Sequence, residues 1–98
     1  MEINKMLPLG SLVNLKKDVK VKKVDFMIIG INIKADEKRY DYCAVVYPFG
    51  YVGADQILLF NQDDIEKVVH RGYKNADMVE YYTDIIWDRK NNGDDKNE

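Results

Sequence analysis

The stretch Val24-Asp25-Phe26-Met27-Ile28-Ile29-Gly30-Ile31-Asn32-Ile33 is apolar on both faces when read with a period of two. Val24, Phe26 and Ile28 fall on one side, and Met27, Ile29, Ile31 and Ile33 on the other. A strand with two apolar faces predicts a central position in a sheet. Gly30 in its middle predicts a bulge or a sharp bend.

Other segments carry weaker versions of the same signal. Ser11-Leu12-Val13-Asn14-Leu15 reads as a short first strand, entered through Leu7-Pro8-Leu9-Gly10. Pro8 disfavours helix before it, and Gly10 permits a turn. Residues 16–23 are lysine-rich, with Val19 and Val21 alternating, and read as a loop that merges into the central strand. The charged run Lys34 to Arg39 has hairpin length. Tyr40 to Tyr47 returns as a third strand, Pro48-Phe49-Gly50 turns the chain, and residues 51–56 are short and partly extended. Ile57-Leu58-Leu59-Phe60 is a further strand.

Residues 61–72 support two readings. Ile65, Val68 and Val69 have helical spacing, with Asn61 as a cap and Gly72 as a stop, whereas the Val68-Val69 pair favours a strand. We expect a helical turn over 62–65 followed by a strand over about 66–72. From Asn75 the period changes: Met78, Val79, Tyr82, Ile85 and Ile86 form a helical stripe. Asn75 can cap this helix, and Asp77 and Glu80 suit its positive end.

The pattern predicts an α+β fold: a small, strongly bent, mostly antiparallel sheet of four to six strands, SH3-like or a partly open barrel, followed by one C-terminal helix. It predicts a single domain over 1–90 and a disordered tail over 91–98, where Asn, Asp and Lys dominate.

Composition adds limits more than identity. The chain has 98 residues, a size that suits one domain. Its net charge of -2 hides an asymmetry. Residues 1–40 carry nine Lys/Arg against five Asp/Glu, and residues 41–98 carry six against twelve. Such a dipolar surface can steer a charged partner. The lone cysteine cannot form an internal disulfide, and no apolar run approaches a membrane span or a secretory signal. Cytoplasmic location and no membrane insertion are the expectations.

Reactive side chains are scarce. Ser11, Thr83, Cys43 and His70 are each the only residue of their type. Cys43 with His70 is the one nucleophile–base pair of the cysteine kind, and no orienting third group can be assigned to it. A small thiol in an alternating strand more often packs than reacts. Asp63, Asp64 and Glu66 lack the regular spacing and glycine turn of a calcium loop, and capping explains them more simply. Gly10, Gly50, Gly53 and Gly72 do not form a phosphate loop and read as turn glycines. We therefore expect no catalytic residue, no metal and no cofactor.

The lysines at 16, 17, 20, 22 and 23 can contact phosphates, but no aromatic is interleaved with them and the second half of the chain is acidic. These grounds argue against nucleic acid as a partner, and a nucleic-acid-binding barrel is kept as an alternative. The favoured contact residues are aromatic. Tyr47, Phe49 and Tyr51 flank one turn; closing the end of the core is the commoner role for such side chains, with Phe49, at the turn itself, the first exception, and Tyr73 is a further candidate. An unpaired strand edge would also allow self-association.

Several pieces, in order, resemble a short Firmicute family that carries a domain of unknown function. They are Leu7-Pro8-Leu9-Gly10-Ser11-Leu12-Val13, Met27-Ile28-Ile29-Gly30, Tyr40-Asp41-Tyr42, Tyr47-Pro48-Phe49-Gly50-Tyr51, Phe60-Asn61 with Asp64-Ile65, and Gly72-Tyr73. Genes of that family commonly lie beside type VII secretion loci encoding toxins with an N-terminal Leu-X-Gly domain. The resemblance implies an adaptor or chaperone that holds a secreted toxin or its small helical companions. The alternative it leaves is an immunity protein that neutralises a cognate toxin. It brings no catalytic residues. Phe49 departs from the smaller or acidic residue expected at that turn in relatives, which puts partner choice in question.

Overall fold

A computed structural model of the chain describes residues 6–16 and 24–92. Of the described residues, those from 7 to 73 form one compact unit, and Met6 with residues 74–92 form another. The lysines at 17, 20, 22 and 23, and the tail beyond Asn92, lie outside the described residues.

The first unit is a five-stranded antiparallel sheet of β1 (Leu12–Leu15), β2 (Phe26–Ala35), β3 (Lys38–Val46), β4 (Leu58–Phe60) and β5 (Ile65–His70). The order across it is β4-β3-β2-β1-β5. The expected strands are all present. The ambiguous segment resolves as a 3-10 turn over Gln62–Asp64 followed by β5.

This order requires the sheet to curl. Laid flat, β4 and β5 would stand about 19 Å apart, four inter-strand spacings. Residues 61–64 alone connect them, and a 3-10 turn advances only about 2 Å per residue. Leu15 at the end of β1 and residues 57–60 accordingly line one groove, although β2 and β3 separate β1 from β4 in the sheet. Among the described residues no ladder joins β4 to β5, so the sheet stays short of a closed barrel.

The expected bulge in β2 is present. Ile28 pairs with Ala44 and Gly30 with Cys43, which leaves Ile29 as the extra residue. The bulge corrects the simple alternation. It returns Ile31, opposite Tyr42, to the face of Ile28, and both are buried while Ile29 is exposed. A Cβ on Gly30 would lie 2.7 Å from the Cys43 sulfur, so the glycine makes room for the thiol across the ladder.

The charged connection from Lys34 to Arg39 is shorter than its composition suggests. β2 and β3 run to its centre, and only Asp36 and Glu37 turn, both left-handed at φ 53° and 67°. Two successive positive φ values match the right-handed twist of a tight hairpin.

The core of the unit is Leu7, Val13, Leu15, Ile28, Ile31, Tyr42, Ala44, Val45 and Phe60. Tyr42 and Phe60 meet with ring centroids 5.6 Å apart. The Tyr42 hydroxyl accepts from the Leu7 N–H at 3.0 Å and donates to Gln62 Oε1 at 2.6 Å. Asp41 braces the same corner: its N–H donates to Asn61 Oδ1, and its carboxylate accepts from the Gln62 N–H, each at 2.9 Å. Asn14 is buried but satisfied, donating to Val24 O at 2.9 Å and Asp25 Oδ1 at 2.8 Å.

Two glycines differ from the turn role expected of them. Gly10 and Gly50 have positive φ and do turn the chain. Gly53 is extended, and Gly72 is needed because a Cβ there would overlap the backbone of Leu9 and Ser11.

The second unit contains α1 (Ala76–Asn92). Asn75 caps it, its side-chain oxygen accepting from the Met78 N–H at 3.0 Å. Arg89 and Lys90 occupy the last turn, where they suit the negative end of the helix dipole. Tyr82 and Ile85 are the buried members of the stripe, and Trp87 is exposed. Asn91 and Asn92 are helical, so the helix runs two residues into the segment expected to be disordered.

Candidate functional site

β3 ends at Val46, and β4 does not begin until Leu58. The intervening loop starts with a cis Tyr47-Pro48 bond and closes its first turn through Gly50 N–H to Val46 O at 2.9 Å, with Gly50 at φ 75°. A second short turn, the 3-10 segment Ala54–Gln56, brings the chain back to β4.

The loop holds its aromatic side chains in solvent. Tyr47, Phe49 and Tyr51 are 50%, 74% and 65% exposed. The alternative role for them, closing the end of the core, is not the one they take. Val52 is exposed beside them, an apolar side chain that the aromatic pattern alone did not single out. Phe49, Val52, Gly50 and Gln56 line a shallow depression against Val46.

Tyr73 is also exposed but lies elsewhere. It follows β5, whose His70 is level with Leu12 and, through β1, with Met27 of β2. Tyr47 follows Val46, which is level with Phe26. β5 reaches His70 running in the direction of β2, whereas β3 reaches Val46 running against it, so Tyr73 and the Tyr47–Tyr51 turn follow strands that run opposite ways. Three of the four expected contact residues thus lie exposed on one loop, and Tyr73 lies on another segment.

Gln56 borders a second hollow as well, an open groove of about 560 Å³. Its walls include Leu15, Phe26, Ile57, Leu58 and Phe60, and Asp55, Asp64 and Lys16 stand at its rim. Sequence reasoning missed this groove. Its apolar side chains come from β1, β2, β4 and Ile57 just before β4, and only the curl of the sheet makes them neighbours.

The reactive residues are not assembled. Cys43 lies in β3 and His70 at the end of β5, with β2 and β1 between those strands. Burial pushes the Cys43 thiol above its ordinary pKa, which favours the neutral form and opposes thiolate chemistry. Asp64 accepts the Asn61 N–H at 2.9 Å, the capping role expected of that acidic pair. Among the described residues no three His, Cys, Asp or Glu side chains cluster as metal ligands. Among the same residues, no helix is long and apolar enough to cross a membrane.

A curled, partly open antiparallel sheet with one C-terminal helix places the chain among small α+β domains. The chain belongs to the DUF4176 family, a domain of unknown function, whose model matches residues 6–80. Neither curated proteins nor solved structures gave a match to it.

Proposed function

We propose that this chain is a non-catalytic, cytoplasmic protein-binding accessory, an adaptor or chaperone that holds a type VII-secreted toxin or its small helical companions before export. The observation that carries the reading is the loop after β3, which keeps Tyr47, Phe49, Tyr51 and Val52 in solvent together. Aromatic side chains of this kind bury a large area on contact and are enriched among residues that dominate binding energy. The raised thiol pKa of Cys43 and its separation from His70 favour binding over chemistry. The secretion context comes from the resemblance in the ordered motifs, and the adaptor role rests on that context.

The test is genetic and biochemical together. The chain is deleted from a host that encodes it beside a toxin locus, and toxin export is measured with wild-type or Phe49→Ala/Tyr51→Ala protein restored. The expected result is reduced export without the chain, rescue by wild type only, and co-purification of the toxin or its companion with wild type only. Undiminished export in the deletion strain would sink the reading. Loss of protection from the toxin with export unchanged would replace it with an immunity role.

A further inference from the structure

We infer that the groove between β1, β2 and β4 is a docking site for a basic amphipathic helix of another protein. This rests on the binding reading above and names the chemistry of the partner.

The groove is large enough, at about 560 Å³, for several side chains, and its walls are apolar: Leu15, Phe26, Ile57 and Leu58. The depression beside Phe49 is its neighbour, because Gln56 borders both.

Charge selects the partner. Asp55 and Asp64 stand at the rim against one lysine, Lys16, and Asp63 is exposed next to Asp64. Within the same compact unit, residues 41–73 carry five Asp/Glu against two Lys/Arg. Basic side chains flanking an apolar stripe would meet opposite charge, whereas acidic ones would be repelled.

Edge geometry selects a helix over a strand. β4 has only three residues, Leu58–Phe60, so an added strand would find few backbone partners there. Recognition must come from side chains, and a stripe at helical spacing presents them to a groove without needing the edge.

Synthetic peptides test this independently of any secretion partner. One is a stapled helix with a leucine stripe flanked by lysines. The second has glutamates for the lysines, and the third scrambles the stripe at constant composition. Binding to the full chain is followed by fluorescence anisotropy and by NMR shifts of backbone amides. The lysine peptide should saturate and shift Phe26 and residues 57–60. The scrambled and glutamate peptides should bind at least about tenfold more weakly. Asp55→Lys, at an exposed position, should weaken the lysine peptide about threefold or more with folding intact.

No saturable binding, equal binding by the scrambled or glutamate peptide, indifference to Asp55→Lys, or shifts confined to other residues would each overturn the inference. Peptide binding at the groove with toxin export unaffected by deletion would sink the export reading alone. Export dependence without peptide binding would sink the groove alone.

Discussion

The backbone N–H of Gly72 donates to the Ser11 hydroxyl at 2.9 Å, joining residues 61 positions apart. The same approach presses Gly72 so close to the Leu9 carbonyl that a Cβ would overlap it. The obstacle is backbone, which cannot rotate away as a side-chain tip can. Gly72→Ala should therefore destabilise by about 2 kcal/mol or more. Ser11→Ala removes only the acceptor and should cost about 1–3 kcal/mol, through an unsatisfied N–H. Urea midpoints of the two variants check both values, and a neutral Gly72→Ala would refute the close approach.

The Tyr42–Gln62 bond should couple energetically. Tyr42 is fully buried, and its hydroxyl links β3 to Gln62 and to Leu7. Tyr42→Phe should lose about 1–3 kcal/mol. A double-mutant cycle with Gln62→Ala should return a coupling of about 0.5–3 kcal/mol. Additive effects would mean that the corner is held by other contacts.

Glu37→Gly should stabilise the protein. Glu37 sits at φ 67°, where a side chain clashes with its own backbone and glycine does not. Glycine's greater freedom in the unfolded chain offsets part of the gain, leaving about 0.5–1 kcal/mol. Thermal unfolding of the variant reads the sign directly.

Cys43 and Gly30 should show size compensation. Gly30→Ala alone should destabilise by about 1–3 kcal/mol, because its Cβ meets the Cys43 sulfur. In a Cys43→Ala background the same change should be milder. The thiol also carries a pH signature. Its folded pKa is raised by burial, so its contribution to stability is complete below the ordinary thiol pKa and is lost as pH rises through the raised one. Iodoacetamide should label the native protein more slowly than the unfolded chain at mildly alkaline pH, and Cys43→Ala should flatten the alkaline fall in stability.

Phe49→Ala should separate folding from binding. With 74% of Phe49 exposed, unfolding midpoints should move by no more than about 0.5 kcal/mol. Affinity for a captured partner should fall about tenfold or more. A large loss of stability would assign Phe49 to the core instead.

The strands were legible wherever apolar residues alternate or run together, as in β2 and β3. The helix was legible because Asn75 caps a stripe of correct period. Even the turn-then-strand order after Asn61 could be read, since two adjacent valines outweighed a weak helical spacing. The hairpin at Lys34 to Arg39 was legible from its length, but not its two-residue turn, because charged side chains extend along the paired strand ends. Gly72 reads as a stop because its distant neighbour Leu9 leaves no trace in local spacing. The exposed aromatics at 47, 49 and 51 could be proposed from their place around Pro48 and Gly50. The groove could not, because its walls are gathered from three strands by curvature that no single window of residues encodes.

The outer strand β5 carries two register slips against β1, one leaving Val69 extra and one leaving Glu66 extra. A newcomer chain laid along it would need amides and carbonyls at regular intervals, and twice within six residues the rhythm breaks. Fibre-like stacking on that border is thereby discouraged with no proline in the strand, and the hydrophobic pair Val68-Val69 can stay near solvent without becoming a seed.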